Sequence, residues 1–140
     1  MKEHETDPKV FTLAEANSLL PHVTQLLVEL RAMMQRIVAQ ETAIDVEELS
    51  GAQSDGTFSP AAKQRMAQLM QALDAEVEAF QAALKIFNEL GCHLKDLEQG
   101  LVDFYSMRDG ELVFLCWKEG EERVRFWHRA EDGYNGRQPL

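Results

Sequence analysis

"LVFLCWKEGEERVRFWH", Leu112 to His128, holds both tryptophans of the chain, one of its two cysteines and one of its four histidines. Apolar and aromatic runs flank the polar EGEE, and the alternation has the two-residue period of a strand rather than the 3.6-residue period of a helix. Just upstream, GLVDFYSM runs into Asp109-Gly110, the dipeptide suited to a two-residue hairpin turn because both positions accept positive φ. The segment 100–129 therefore predicts a three-stranded antiparallel meander, followed by an irregular tail over 130–140.

An Asp109-Gly110 turn pairs Arg108 with Glu111, which carries Asp103 opposite Cys116 and Phe104 opposite Leu115. If Lys118 pairs with Arg123 around the second turn, Cys116 meets Arg125 and Leu115 meets Phe126. One face then collects Val102, Phe104, Val113, Leu115, Trp117, Val124 and Phe126, with Ser106 and His128 at an edge. Burying one such large side chain is worth roughly 1.5 to 3 kcal/mol, so this face is expected to pack on helices. The other face sets a row of Asp103, Cys116 and Arg125 beside a row of Tyr105, Phe114 and Trp127. A slip of one residue would exchange the faces of a whole strand.

Upstream of Gly91 the period is helical. Thr12 and Glu15 form the T-x-x-E capping-box pattern. Ala16, Leu19, Val23, Leu26, Leu30, Met33, Ile37 and Ile44 then recur at three- and four-residue steps. Pro21 lacks an N–H and crowds the preceding turn, which predicts a short leading helix, a bend near Leu20 and a long segment to about Leu49. Ser50 to Ser59 is rich in Gly and Ser and reads as a loop, Ser59-Pro60 opens a second helix, and Gly91 closes it. The architecture expected is α+β: a long antiparallel helical hairpin over 12–91 with a short leading helix, packed on the meander. Residues 11–140 are taken as a single domain after a disordered segment 1–10.

Composition narrows the function classes. The net charge of −10 opposes attraction to nucleic acid and to anionic membranes. Most of it sits on the helices, since Arg108 to Leu140 carries six Lys and Arg against seven Asp and Glu, net −1. No apolar run approaches the roughly 20 residues of a membrane span, and the polar start MKEHETDPKV lacks the apolar region of a secretory signal. A cytoplasmic location is expected, where Cys92 and Cys116 would be free thiols.

A zinc site from Cys116 and His128 has the right donor chemistry but needs them on one face, and the register above puts them on opposite faces. Cys92-His93 matches no metal-ligand spacing. Asp96, Glu98 and Asp103, in KDLEQGLVD, together with His128 form the alternative metal set, suited to a metal-assisted hydrolase. No nucleophile elbow, phosphate loop or dinucleotide fingerprint is present. The leading expectation is a non-catalytic binding or assembly module without a cofactor. Its ligand or partner, a protein or a small molecule, would be met by Asp103, Tyr105, Phe114, Cys116, Arg125, Trp127 and the tail residue Arg137.

The stretches FTLAEANSLLP, KDLEQGLVDF, LCWKEGE with FWH, and GYNGRQPL together resemble the domain-of-unknown-function 2203 family over nearly the whole chain. The resemblance implies a bacterial cytoplasmic protein of this architecture. A helix of about 28 residues spans about 42 Å and a strand of seven about 24 Å, so part of the helical stripe lacks cover. That predicts a homodimer joined through the long helices.

Overall fold

A computed structural model describes residues 9–140. Residues 1–8, which include most of the segment expected to be disordered, lie outside the described residues. Helix α1 spans Leu13–Gly51 and α2 spans Pro60–Glu89, followed by strands β1 (His93–Asp96), β2 (Leu101–Arg108), β3 (Glu111–Lys118), β4 (Phe126–His128) and β5 (Gln138–Pro139). The fold is α+β: two helices forming a hairpin, and an antiparallel sheet.

The chain divides into two compact units. One comprises the chain up to Val28 together with Lys85–Leu140, and the other is Glu29–Leu84. The second unit is helical hairpin alone. Its connection opens with Ser59, whose Oγ accepts from the N–H of Ala62 at 3.1 Å and so caps α2. Arg36 pairs with Glu76 at 3.1 Å and Arg65 with Glu47 at 3.0 Å between its helices.

The first unit holds the sheet. Its helical start is fixed by the expected capping box: Thr12 N–H donates to Glu15 Oε1 at 2.8 Å, and Glu15 N–H donates to Thr12 Oγ1 at 3.1 Å. Phe11, just before the cap, docks on β2. Its N–H donates to the Tyr105 carbonyl at 2.7 Å, its carbonyl accepts from Ser106 Oγ at 2.7 Å, and its ring meets Phe104 edge-on at 5.3 Å. Ala16, Leu20, Val23, Leu26 and Leu27 are buried in the core, as are Val102, Phe104, Val113, Leu115 and Trp117.

Three expectations are corrected. Among the described residues no separate leading helix exists, because α1 runs unbroken through Pro21. Proline there removes one backbone bond, to the carbonyl of Asn17, and burial of Leu20 and Val23 on either side outweighs that loss. The sheet has five strands rather than three, in the order β1-β2-β3-β4-β5. The two additions are four and two residues long, HLKD and QP, too short to show a period in sequence.

The third correction is the register of β4. The Asp109-Gly110 turn has φ of 53° and 78°, both positive as its hairpin requires, and β2 pairs with β3 as expected, with Asp103 opposite Cys116. β4, however, pairs Cys116 with Phe126, Leu115 with Trp127 and Phe114 with His128, one residue off the expected register. The cause lies in the connection after Lys118. Glu121 turns back on it, accepting Lys118 N–H at 2.8 Å on its carboxylate and Trp117 Nε1–H at 2.9 Å on its carbonyl. Val124 N–H then donates to Asn17 Oδ1 of α1 at 2.7 Å instead of joining the ladder. The slip turns Trp127 to the face of Leu115 and brings Phe126 and His128 to the face of Cys116.

Candidate metal centre

On the face opposite Phe104 and Leu115, three polar side chains are almost wholly removed from water: Asp103 at 3 % exposure, Cys116 at 2 % and His128 at 3 %. They come from three adjacent strands, β2, β3 and β4. Cysteine in the middle strand is short enough for the flanking carboxylate and imidazole to meet over it. His128 Nε2 lies 3.1 Å from Asp103 Oδ2, and one donor atom from each of the three residues lies within 4.8 Å of the others. Cys116 and His128, assigned to opposite faces from the sequence, are neighbours.

Hydrogen bonding fixes the chemistry of the cluster. His128 Nδ1 is 2.7 Å from the carbonyl of Arg129, and a carbonyl only accepts, so Nδ1 carries hydrogen and Nε2 faces the carboxylate. With Asp103 ionised and His128 neutral, a lone pair would point at a carboxylate oxygen. A proton between Nε2 and Oδ2 relieves that contact, and so would a cation. The Nδ1–H bond to a backbone carbonyl is also the orienting bond that metal-bound histidines make. A tetrahedral zinc-class ion needs donor separations of about 3.3 Å between nitrogen and oxygen and about 3.6 Å to sulfur. The Asp103–His128 distance is already within reach of that value.

Burial pushes the Cys116 thiol up to about 12, with the Asp103 charge and hydrogen bond adding to the effect and Arg137 opposing it. Without a cation the sulfur is thus a neutral thiol, a poor nucleophile. Arg137, at the tail, stacks 3.8 Å from the Phe126 ring centroid and 4.5 Å from that of Tyr134. It is hydrogen-bonded to Glu121 and reaches Cys116 Sγ at 3.9 Å. The aromatic row beside the cluster is Tyr105 stacked on Phe114 at 4.6 Å, with His128 tilted against Phe114 at 5.3 Å. His93, the cross-strand partner of Asp103, meets Tyr105 edge-on at 4.9 Å. Burial, with help from Lys95 and against Asp103, pulls the His93 pKa down.

A cavity of about 190 Å³ opens over the cluster, lined by Lys95, Leu101, Asp103, Phe114, Cys116, His128, Ala130, Gly133 and Tyr134. The tail thus supplies part of its wall. Of the residues expected to bind, Asp103, Tyr105, Phe114, Cys116 and Arg137 share this region. Trp127 does not; it lies between Arg108, 4.7 Å from its ring, and Arg129, 5.3 Å away. Arg125 is exposed and pairs with Glu122 at 3.4 Å. The alternative metal set divides in the same way. Asp103 and His128 converge, whereas Asp96 accepts from the N–H of Gln99 at 3.0 Å in the β1–β2 turn and Glu98 is exposed. Lys95 and Glu121 were missed, and Phe126 was expected on the opposite face; the one signal for them was their position beside named residues.

Comparison with known proteins adds a family. The model of the family described as uncharacterized conserved protein (DUF2203) matches residues 9–140. The chain belongs to this family. In this DUF2203 member, the matched span contains all three cluster residues and the tail that walls the cavity. No curated protein and no solved structure matches the chain. No helix among the described residues is long and apolar enough to cross a membrane.

Proposed function

We propose that this DUF2203 chain is a metal-dependent binding protein in which Asp103, Cys116 and His128 hold one zinc-class divalent ion. The observation that carries this reading is the buried convergence of one oxygen, one sulfur and one nitrogen donor within 4.8 Å. Mixed O, S and N donors suit zinc and its first-row neighbours rather than calcium or magnesium, which take oxygen. Three protein donors leave a tetrahedral ion one open position, and the cavity provides room for a ligand there. A reducing cytoplasm, which keeps both cysteines as free thiols, suits such a site.

The test is elemental analysis of full-length protein purified without chelator, followed by zinc titration. About one equivalent of tightly held transition metal is expected, lost in Cys116→Ser and in His128→Ala. Failure of the wild-type chain to take up zinc or cobalt added at several hundred micromolar would overturn the reading. Metal-assisted hydrolysis is a second reading, favoured by the open position, because an ion with three protein donors and a bound water is the arrangement of hydrolytic zinc sites. Zinc-dependent turnover of an activated ester, abolished by His128→Ala, would support it; no turnover by the fully loaded protein would remove it.

A further inference from the structure

We infer that the ligand seated on the proposed ion is a small monocarboxylate with a short apolar body, an inference that rests on the metal reading above. Size comes first. A cavity of about 190 Å³ is well below the roughly 300 to 1,000 Å³ of sites for drug-sized molecules and equals the liquid volume of about six waters. It fits a ligand of a few heavy atoms beyond the coordinating group.

Charge comes second. With Cys116 as thiolate, Asp103 ionised and His128 neutral, the protein donors cancel the two charges of the ion. An anion in the fourth position adds one negative charge, which needs one cation beside it. Lys95 lines the cavity, with its ammonium nitrogen 5.3 Å from the Phe114 ring centroid. Arg137, a second nearby cation, is already hydrogen-bonded to Glu121, and Lys118 lies outside the lining, 5.9 Å from the Tyr134 ring centroid. Among the described residues, Lys95 is the one Lys or Arg that lines the cavity, and a single ammonium matches a monoanion better than a dianion such as phosphate.

The walls decide the rest. Leu101, Phe114 and Ala130 present hydrocarbon to the cavity, while Tyr134 brings an aromatic ring from the tail. Apolar walls around a charged floor favour a ligand whose head coordinates and whose body is hydrocarbon. A monocarboxylate such as butyrate satisfies all three conditions.

The experiment uses the full chain loaded with cobalt(II), whose visible absorption reports thiolate ligation and the fourth ligand together. Butyrate should shift the ligand-field bands saturably, while butyramide, of the same shape without the charge, leaves them in place and phosphate binds more weakly than butyrate. Lys95→Met should weaken butyrate about fivefold, the roughly 1 kcal/mol that an exposed ion pair contributes. A thiolate-to-cobalt band that butyrate does not perturb, a butyramide response equal to that of butyrate, or tighter binding of phosphate overturns the ligand assignment and leaves the metal site standing. If no thiolate-to-cobalt band forms at all, the metal reading falls and this inference falls with it.

Discussion

Zinc binding at neutral pH should release about one proton per ion. The Cys116 thiol, pushed up to about 12, is almost wholly protonated at pH 7.5 and must lose its proton to ligate. The energetic cost is bearable. Relative to an ordinary thiol near 9, the raised value adds about 4 kcal/mol of deprotonation work. Structural zinc sites at neutral pH reach apparent binding energies of roughly 10 to 16 kcal/mol. About 6 to 12 kcal/mol then remains, which corresponds to dissociation constants from tens of micromolar to nanomolar. One released proton also means that affinity rises about tenfold per pH unit between pH 6.5 and 7.5. Calorimetric titration of the metal-free protein in buffers of different ionisation enthalpy counts the protons directly. Cys116→Ser should lower the count to about zero. A count near zero for the wild type would put the sulfur outside the ion's coordination and refute the site as drawn.

Other consequences can be checked by unfolding and hydrodynamics. Cys92 and Cys116 have thiols raised mainly by burial, to about 11 and about 12, so the folded metal-free chain holds those protons longer than the unfolded chain, which loses them near 9. The stabilisation is therefore fully present below about pH 9 and lost as pH climbs from 9 to about 12. Thermal unfolding should show a flat midpoint over the lower range and a steady fall above it; a midpoint rising with pH there would contradict the burial of both thiols. Replacing the cluster with apolar groups, Asp103→Val with Cys116→Val and His128→Leu, should leave metal-free stability unchanged or raise it by about 1 to 4 kcal/mol while abolishing zinc uptake. Chemical denaturation measures the first and calorimetry the second, and a large loss of stability would mean that the cluster is structural. The helical unit exposes Val38, Val46, Leu49 and Met70, with Leu49 at 84 % exposure. Joined through its long helices, the proposed homodimer should sediment at twice 15.9 kDa at micromolar concentration, and a monomer alone would exclude it.

Much of the fold could be read from sequence because its signals are local. Thr12 and Glu15 cap each other across three residues, Ser59 caps α2 across three, and Asp109-Gly110 sets its turn without help from elsewhere. The β2–β3 pairing follows from that turn, so Asp103 opposite Cys116 was legible. β1 and β5 were not, since strands of four and two residues form only because a neighbouring strand offers its edge. Pro21 misled for a related reason: propensity marks a break, but tertiary burial on both sides holds the helix through it.

The candidate site turned on one short connection and a long-range bond within it. Whether His128 shares a face with Cys116 depends on parity alone, and parity in β4 is set by where the connection after Lys118 ends. A hairpin closed by its own ladder would have put Arg125 beside Cys116 and sent His128 to the other side. Instead the N–H of Val124 is captured by Asn17, 107 residues earlier in the chain, and the ladder resumes one step out of the expected phase. Burial agrees with the observed phase, since it encloses Trp127 and leaves Phe126 to stack with Arg137. No local pattern encodes that choice: VRFWH alternates equally well in either phase, with an aromatic ring ready for each side. The Glu121 turn and the competition between the Asn17 side chain and strand β3 for one backbone donor set it together, and with it whether a carboxylate, a thiol and an imidazole meet.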